Sequence, residues 1–180
     1  MILNNLNRIL LKILNSTNRN TLLAFVKGNN LKLGNYSTIH ISKESEISIG
    51  ENPDLRNYIN IWVGKGAKLN LGNGVFLNNY CSINCLESIE IGDGTLFGEG
   101  VKLYDHNHAY DKSDLELKID KKNFTKAAIK IGKNCWLGSN VVVLKGVTIG
   151  DNTIIGAGCV IYRDVPANSV VVNEQELASK

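Results

Sequence analysis

Hydrophobic residues recur at every sixth position along the second half of the chain. The aliphatic members of this series are Ile131, Leu137, Val143, Ile149, Ile155 and Ile161. Mostly small residues follow each aliphatic by four positions, at Cys135, Val141, Val147, Thr153, Cys159 and Val165. A period of six fits neither an α-helix, which repeats every 3.6 residues, nor a strand that alternates every two. It is typical of a chain that makes a short strand, turns a corner and repeats.

Three such units would close one triangular coil, which stacks on the next at a strand-pairing distance of about 4.8 Å. The aliphatic of each unit would point into the prism, and the glycine that often follows it tolerates a corner. Weaker runs with the same period extend the pattern towards the N-terminus, at Leu71, Leu77 and Ile83 and then at Ile91, Phe97 and Leu103. Leu31–Ile49 and Ile61–Leu69 are weaker still, and an interruption at Asn52–Asn60 separates them. The known fold with this period coils left-handed. We therefore expect an all-β protein, a left-handed parallel β-helix of hexapeptide repeats.

The periodicity divides the chain into a cap, a solenoid and a tail. Residues 1–30 place leucines at helical spacing and predict a short N-terminal helical cap, although Arg8 and Lys12 also allow contact with a membrane surface. Residues 31–170 are predicted to form the β-helix, and residues 171–180 a polar tail. The hydrophilic break at 109–128 predicts an extended loop, and long loops in regular folds are often functional.

Composition narrows the class of protein. The net charge of +3 is small and argues against a nucleic-acid-binding protein, which needs a concentrated basic face. Four cysteines, Cys81, Cys85, Cys135 and Cys159, lie in strand-like segments without zinc-site spacing, so we interpret them as reduced core residues and expect no metal. No run approaches the ~20 apolar residues of a membrane span. We therefore expect a cytoplasmic protein. It would lie near the inner face of the membrane if the N-terminal segment binds lipid.

Two histidines stand where the repeat ends and the loop begins, in Tyr104–Asp111. With the hexapeptide pattern, this segment resembles the hexapeptide acyltransferases, and in particular the sugar O-acetyltransferase branch that includes maltose, galactoside and capsule-modifying enzymes. That family carries its catalytic histidine as the sixth residue of a repeat unit, often with an aspartate three residues later. His108 and Asp111 match these positions, so the resemblance implies that His108 is the base and that His106 orients the site or contacts the acceptor. A neutral imidazole suits this role at cytoplasmic pH.

The resemblance also implies where acetyl-CoA would bind. In Ile131–Ser139 it places Trp136 at the wall of the reaction centre and the Ser139 amide opposite the thioester carbonyl, where it would stabilise an oxyanion. In Ile155–Pro166 it implies that the Ala157 backbone contacts the pantetheine arm. The further cationic and polar candidates for coenzyme contacts are Tyr162, Arg163 and Lys145.

The acceptor is less defined by the sequence. Asn78 aligns with an acceptor-binding asparagine of the galactoside enzyme, whereas Leu86 occupies the position of the aspartate that this enzyme uses for its sugar. The remaining candidates for acceptor contacts are Asn84, Asp111 and Tyr104, with Tyr80 and Tyr110 as further ring faces. These groups favour a saccharide hydroxyl over a flat drug, which would need a larger apolar pocket.

The sequence therefore predicts an acetyl-CoA-dependent O-acetyltransferase that acts on a surface polysaccharide or its precursor. Family resemblance implies a homotrimer with sites between subunits. Other acceptors, a nucleotide-linked amino sugar or a drug such as streptogramin or chloramphenicol, stay open. A γ-class carbonic anhydrase would need three histidine ligands in or between adjacent coils, and the chain has only His40 beyond the His106/His108 pair. A catalytically idle scaffold would have no use for His108, Trp136 and Ser139.

Overall fold

Short parallel strands make up the body of the protein. The computed structural model describes residues 29–112 and 116–174, and the regular structure in these residues is entirely β. The predicted N-terminal cap lies outside the described residues except for its last two positions, and the predicted tail is described only as far as residue 174. No helix long and apolar enough to cross a bilayer occurs in the described ranges.

The described strands form three parallel sheets, which we call faces A, B and C, and one separate two-stranded sheet. Face A consists of β1 (Lys32–Leu33), β4 (Asp54–Leu55), β7 (Phe76–Leu77), β10 (Leu96–Phe97), β15 (Trp136–Leu137), β18 (Ile154–Ile155) and β20 (Val170–Val171). Face B consists of β2 (Thr38–Ile41), β5 (Asn60–Val63), β8 (Ser82–Cys85), β11 (Lys102–Tyr104), β16 (Val142–Leu144) and β19 (Val160–Ile161). Face C consists of β3 (Glu46–Ile49), β6 (Lys68–Leu71), β9 (Ser88–Ile91), β14 (Ile129–Ile131) and β17 (Thr148–Ile149).

The chain visits faces A, B and C in turn, and each strand pairs in parallel with the equivalent strand of the next coil. Six coils result, beginning at β1, β4, β7, β10, β15 and β18. The aliphatic residues of the predicted period point into the prism, where Leu77, Ile83 and Leu137 have no exposed surface. The predicted parallel β-helix is confirmed. All four cysteines are buried and free, as expected for core residues.

The first coils differ from the prediction. No interruption occurs at Asn52–Asn60, since this segment carries β4 and the start of β5 in regular register with their neighbours. These coils are longer than a hexapeptide triplet: 22 positions separate Leu33 from Leu55, against 18 between Leu137 and Ile155. Four-residue strands on faces B and C account for the extra length, and they hide the six-residue period without breaking the stack.

An antiparallel hairpin replaces one corner of the fourth coil. Its strands are β12 (His106–Lys112) and β13 (Leu117–Lys126), which leave the prism after β11 and return before β14. The hairpin begins three residues before the loop expected from the sequence, so both histidines belong to its first strand. Side chains along it are mostly exposed, including Tyr110, Leu117 and Ile119.

The outer surfaces of the faces differ in character. On face A, five apolar side chains line up across successive coils: Phe76, Leu96, Trp136, Ile154 and Val170. Trp136 is 52% exposed and Val170 67% exposed. Face C instead presents charged and polar side chains outward, such as Glu46 and Lys68, which form an ion pair of 3.0 Å. Face C therefore suits water, whereas face A carries an apolar stripe of the kind that marks an interaction surface.

Candidate active site

The corner between faces A and B, here the A–B corner, carries three of the predicted site residues. It comprises residues 34–37, 56–59, 78–81, 98–101, 138–141 and 156–159, one set per coil. Asn78, Ser139 and Ala157 all lie there, in the third, fifth and sixth coils. Trp136 lies next to this corner on face A, in register between Leu96 and Ile154.

Backbone amides at the A–B corner are capped in the early coils and open in the later ones. The Asn57 side chain accepts from the Asn35 amide at 2.9 Å, and Asn79 accepts from Asn57 at 3.1 Å. The Asn79 amide donates to its neighbour Asn78 at 2.8 Å. In the next three coils the equivalent positions are Glu99, Ser139 and Ala157, and within the described residues no acceptor meets their amides. A row of N–H groups without a partner in residues 29–112 and 116–174 is therefore available to a ligand.

His108 is held so that one ring nitrogen is free for chemistry. Its Nδ1 lies 3.1 Å from the backbone oxygen of Asp120, and its ring packs on Phe124 at a centroid distance of 4.7 Å. A carbonyl oxygen only accepts, so Nδ1 must carry the proton, and Nε2 of the neutral ring is the basic nitrogen. The His108 side chain is exposed, so this nitrogen can reach a bound hydroxyl.

The Asp120 turn that presents this carbonyl is itself well ordered by hydrogen bonds. The Asp120 carboxylate accepts from the amides of Lys122 and Asn123 at 2.8 and 3.1 Å and from the Asn123 side chain at 2.7 Å. These donors, with a smaller contribution from His108, hold the pKa of Asp120 below its ordinary value. An aspartate that caps such a turn is a recognisable signal in the sequence, from which this turn could have been predicted.

His106 has a different environment from His108. Its Nδ1 lies 3.1 Å from Asp105, and its side chain is only 14% exposed. The Asp105 carboxylate is fully buried and also accepts from the Leu86 and Glu87 amides, at 2.8 and 2.7 Å. Asp105 thus ties the base of the hairpin to the preceding coil. Sequence reasoning missed it, although alternation from the inward Leu103 would have placed Asp105 inward.

The other candidates lie on the far side of face B. Lys145 follows β16 and donates to Thr125 of the hairpin at 3.0 Å. Tyr162 and Arg163 follow β19, with the guanidinium 5.3 Å from the Tyr162 ring centroid. Both sets occupy the corner between faces B and C, here the B–C corner, from which the hairpin also leaves.

The acceptor candidates are spread over face B and the hairpin. Asn84 and Tyr104 are register partners on the outer surface of face B. Asp111 lies opposite Lys118 further along the hairpin. Within one chain, the open amides of Ser139 and Ala157 and the histidines therefore lie at opposite edges of face B. No group of three potential metal ligands converges in the ranges 29–112 and 116–174.

Comparison with known proteins agrees with the resemblance drawn from the sequence. Residues 128–163 match the family described as bacterial transferase hexapeptide (six repeats). The chain is 36% identical over 94 residues to WbbJ of Escherichia coli K12, named as a lipopolysaccharide biosynthesis O-acetyl transferase, covering 49% of this chain and 48% of that protein. It is 40% identical over 83 residues to the galactoside O-acetyltransferase of the same organism, covering 46% and 39%. The chain thus spans about half the length of these relatives or less.

A solved structure agrees on the fold. The hexapeptide-repeat acetyltransferase VCA0836 of Vibrio cholerae O1 biovar eltor, in complex with acetyl-CoA, is 24% identical to this chain. The match has a TM-score of 0.52 and covers 91% of this chain and 78% of that one. The family match thus covers the coils between residues 128 and 163, and the solved structure shares the fold of the chain.

Proposed function

We propose that this hexapeptide-repeat protein is an acyltransferase that moves the acetyl group of acetyl-CoA to a saccharide hydroxyl. The observation that supports the proposal is that the solenoid carries two complementary groups. One is an exposed histidine with its Nε2 free, and the other is the row of open amides at the A–B corner. Acyl transfer in a single step needs two groups, a base and an N–H donor for the oxyanion.

The reaction would proceed in one ternary complex. His108 Nε2 takes the proton of the acceptor hydroxyl, and the hydroxyl oxygen attacks the thioester carbonyl carbon. The carbonyl oxygen becomes an oxyanion that accepts from the Ser139 amide. The C–S bond then breaks, and the coenzyme A thiolate leaves with the proton that His108 had taken. No covalent enzyme intermediate is needed, which agrees with four cysteines that are all buried.

The proposed coenzyme contacts come from both edges of face B, with Ala157 at the A–B corner and the cations at the B–C corner. The Ala157 amide, one coil beyond Ser139, would bind an oxygen of the pantetheine arm, and the Trp136 ring would flank it from face A. Arg163 and Lys145 are the cations proposed for the coenzyme phosphates, because guanidinium and ammonium groups bind phosphate well. The acetyl-CoA complex of the Vibrio cholerae acetyltransferase supports this choice of donor.

A homotrimer would bring the two halves of the site together. The open amides and the histidines lie at opposite edges of face B, so one chain cannot easily supply both to one substrate. The apolar stripe on face A, next to the A–B corner, is a surface for a neighbouring subunit. Tyr110 and Ile119, paired across the hairpin and more than 60% exposed, are a second such surface. We propose that the hairpin of one subunit reaches the A–B corner of the next.

The acceptor is proposed to be a carbohydrate of a surface polysaccharide or its precursor, and the reaction cytoplasmic. The relatives named for lipopolysaccharide biosynthesis and for galactoside O-acetylation support the acceptor class. Four free cysteines fit a reducing compartment.

The test is release of free thiol from acetyl-CoA in the presence of an acceptor panel. The panel contains oligosaccharide fragments, free mono- and disaccharides, a nucleotide-linked amino sugar and chloramphenicol. We expect turnover with the oligosaccharides. Efficient turnover of the amino sugar or the drug alone would overturn the acceptor class and leave acyl transfer standing. No coenzyme A binding and no thiol release with any acceptor would overturn the whole proposal.

A further inference from the structure

Three tyrosines form a ladder along the A–B corner. Tyr36, Tyr58 and Tyr80 occupy the same position in successive coils. Their rings stack nearly parallel, with centroid distances of 5.1 Å and 4.8 Å and interplanar angles of 12° and 8°. All three side chains are about half exposed.

The three tyrosines of the ladder all have a strained backbone conformation. The φ angles of Tyr36, Tyr58 and Tyr80 are 60°, 60° and 62°, in the left-handed region that bulky residues avoid. In the next three coils the same position is held by Gly100, Asn140 and Gly158, residues that adopt this conformation readily. Stacking offsets part of the strain, but asparagine would fill this corner without any. Strain kept at three successive positions points to a use for the rings.

One face of the ladder is open. Tyr58 covers one face of the Tyr80 ring. On the other side the next coil presents Gly100, which has no side chain, and the Asn140 side chain of the following coil reaches over Gly100. A cleft of about 430 Å³ lies against Tyr80 here. It is lined by Tyr80, Glu99, Gly100, Lys102, Ser139 and Asn140.

The cleft combines one flat apolar surface with hydrogen-bonding groups at its border. Lys102 donates to the Gly100 carbonyl at 2.9 Å and so stays at the rim. The Glu99 carboxylate has no ion pair within residues 29–112 and 116–174. A sugar ring has the matching shape, because its C–H groups form an apolar face and its hydroxyls surround it. The unpaired carboxylate favours neutral sugars over acidic ones.

We propose that the open face of Tyr80 and this cleft bind a neutral pyranose ring of the acceptor oligosaccharide. The proposal rests on the proposed function, since it places the sugar beside the Ser139 amide where the thioester carbonyl would lie. Glu99 and Asn140 bind the hydroxyls at the edge of the ring. Tyr80 thereby becomes a specificity-determining residue for the acceptor.

The experiment compares Tyr80→Asn with Tyr36→Asn in the full chain. Each variant removes one outer ring of the ladder and one ring contact with Tyr58, and each relieves strain because asparagine tolerates the left-handed region. Tyr36 lies two coils away from the cleft and serves as the matched control. Binding of cellotetraose, maltotetraose, chitotetraose and tetragalacturonate is followed by saturation-transfer NMR, and coenzyme A binding by calorimetry.

We expect at least one neutral tetramer to receive saturation at its ring C–H protons and tetragalacturonate to bind more weakly. Tyr80→Asn should weaken the neutral sugar about fivefold, as for loss of one stacked ring, while Tyr36→Asn leaves it unchanged. Equal effects of both variants, or no transfer to any neutral tetramer, would overturn the sugar site. Coenzyme A binding separates the two proposals: if it persists in that case, acyl transfer stands without this subsite, and if it is absent in the unmodified protein, the proposed function itself fails.

Discussion

Two histidines two residues apart have different surroundings because different groups hold their Nδ1 atoms. The Nδ1 of His108 lies against a neutral backbone carbonyl of Asp120, and its side chain faces solvent. The Nδ1 of His106 lies against the buried Asp105 carboxylate, with Phe124 and Tyr104 edge-on to its ring. Access to a hydroxyl therefore favours His108 as the base, and the buried contacts of His106 favour a positioning role.

Replacing His108 by alanine should lower kcat by a factor of about 10² to 10⁴, the range for loss of a general base. Coenzyme A affinity should stay unchanged, because the base acts only on the acceptor proton. His106→Ala is the comparison and should lose less. Steady-state kinetics with acetyl-CoA and calorimetric titration of coenzyme A measure the two effects. A larger loss for His106→Ala would assign the base to His106 instead.

The oxyanion role of the Ser139 amide can be tested by deleting a single N–H. Ser139 precedes Asn140, which has φ 59°, and the Val141 amide donates back to Gly138 at 3.3 Å. This is a type II turn with Ser139 at its second position, where proline is well tolerated. Ser139→Pro should therefore fold and lower kcat about 10² to 10³-fold.

Ser139→Ala is the control, since it keeps the amide and loses only the hydroxyl. It should retain most of the activity, and thermal unfolding should show that both variants are folded. Equal kcat for the proline and alanine variants would mean that another group stabilises the oxyanion.

The residues that repeat in sequence were predictable, and the residues that act through tertiary contacts were not. Ser139 and Ala157 could be placed at equivalent corners because the period of six fixes their register. Asp105 and Asp120 bind partners 19 and 12 positions away in the chain, the Leu86 amide and the His108 ring. No local pattern reports such contacts.

At the scale of elements, regular coils were predictable and their variations in length were not. A six-residue period is visible only where each strand and corner together take six residues, as in β15 to β19. In the first coils, β2 and β3 have four residues each, so the inward positions alternate for longer and the period is lost. The prism still closes, because stacking requires only that inward residues meet inward residues in the next coil.

The hairpin is anchored to the prism by the buried Asp105. Asparagine at this position offers one acceptor oxygen where three N–H groups now converge, from Leu86, Glu87 and His106. We expect Asp105→Asn to lower the free energy of unfolding by about 1–3 kcal/mol, the cost of leaving a buried donor unpaired. Urea unfolding measures this loss. Asp111→Asn, on the exposed part of the hairpin, is the control and should change stability by less than about 0.5 kcal/mol. Equal stability of the two variants would show that the Asp105 contacts do not anchor the hairpin.

At the scale of the whole molecule, the prism core should respond to alkaline pH. Burial raises the pKa of the Cys85 thiol from 9.0 to about 12, and the nearby Asp105 charge adds to this. Above pH 9 the unfolded chain loses this proton while the folded chain keeps it. The thiol's contribution to stability is therefore complete below pH 9 and is lost as the pH rises towards 12, by at most about 1.4 kcal/mol per pH unit.

Cys85→Ala removes this titration, so its urea stability should fall less between pH 8 and pH 10.5 than that of the unmodified chain. Other groups titrate in this range, but they are common to both proteins and cancel in the difference. Parallel loss of stability in both proteins would show that Cys85 is not protected from ionisation.

The proposed trimer makes a prediction that no property of a single chain can imitate. If His108 of one subunit acts on a thioester held at the A–B corner of the next, two inactive variants should complement each other. His108→Ala and Ser139→Pro are each expected to be nearly inactive alone. In a cyclic trimer assembled at random from equal amounts of the two, about one site in four pairs an intact histidine with an intact amide.

Co-refolding the two variants at equal ratio should therefore restore about a quarter of the unmodified activity. Mixing them without unfolding should restore less, because subunits must exchange before mixed sites form. Sedimentation analysis should show that the refolded species is trimeric. If the site lies within one subunit, every site in the mixture lacks either the base or the oxyanion donor, and activity stays at the level of the separate variants. Activity that is recovered in the refolded mixture, but not in either variant refolded separately, would thus establish both the assembly and the division of the site between neighbouring chains.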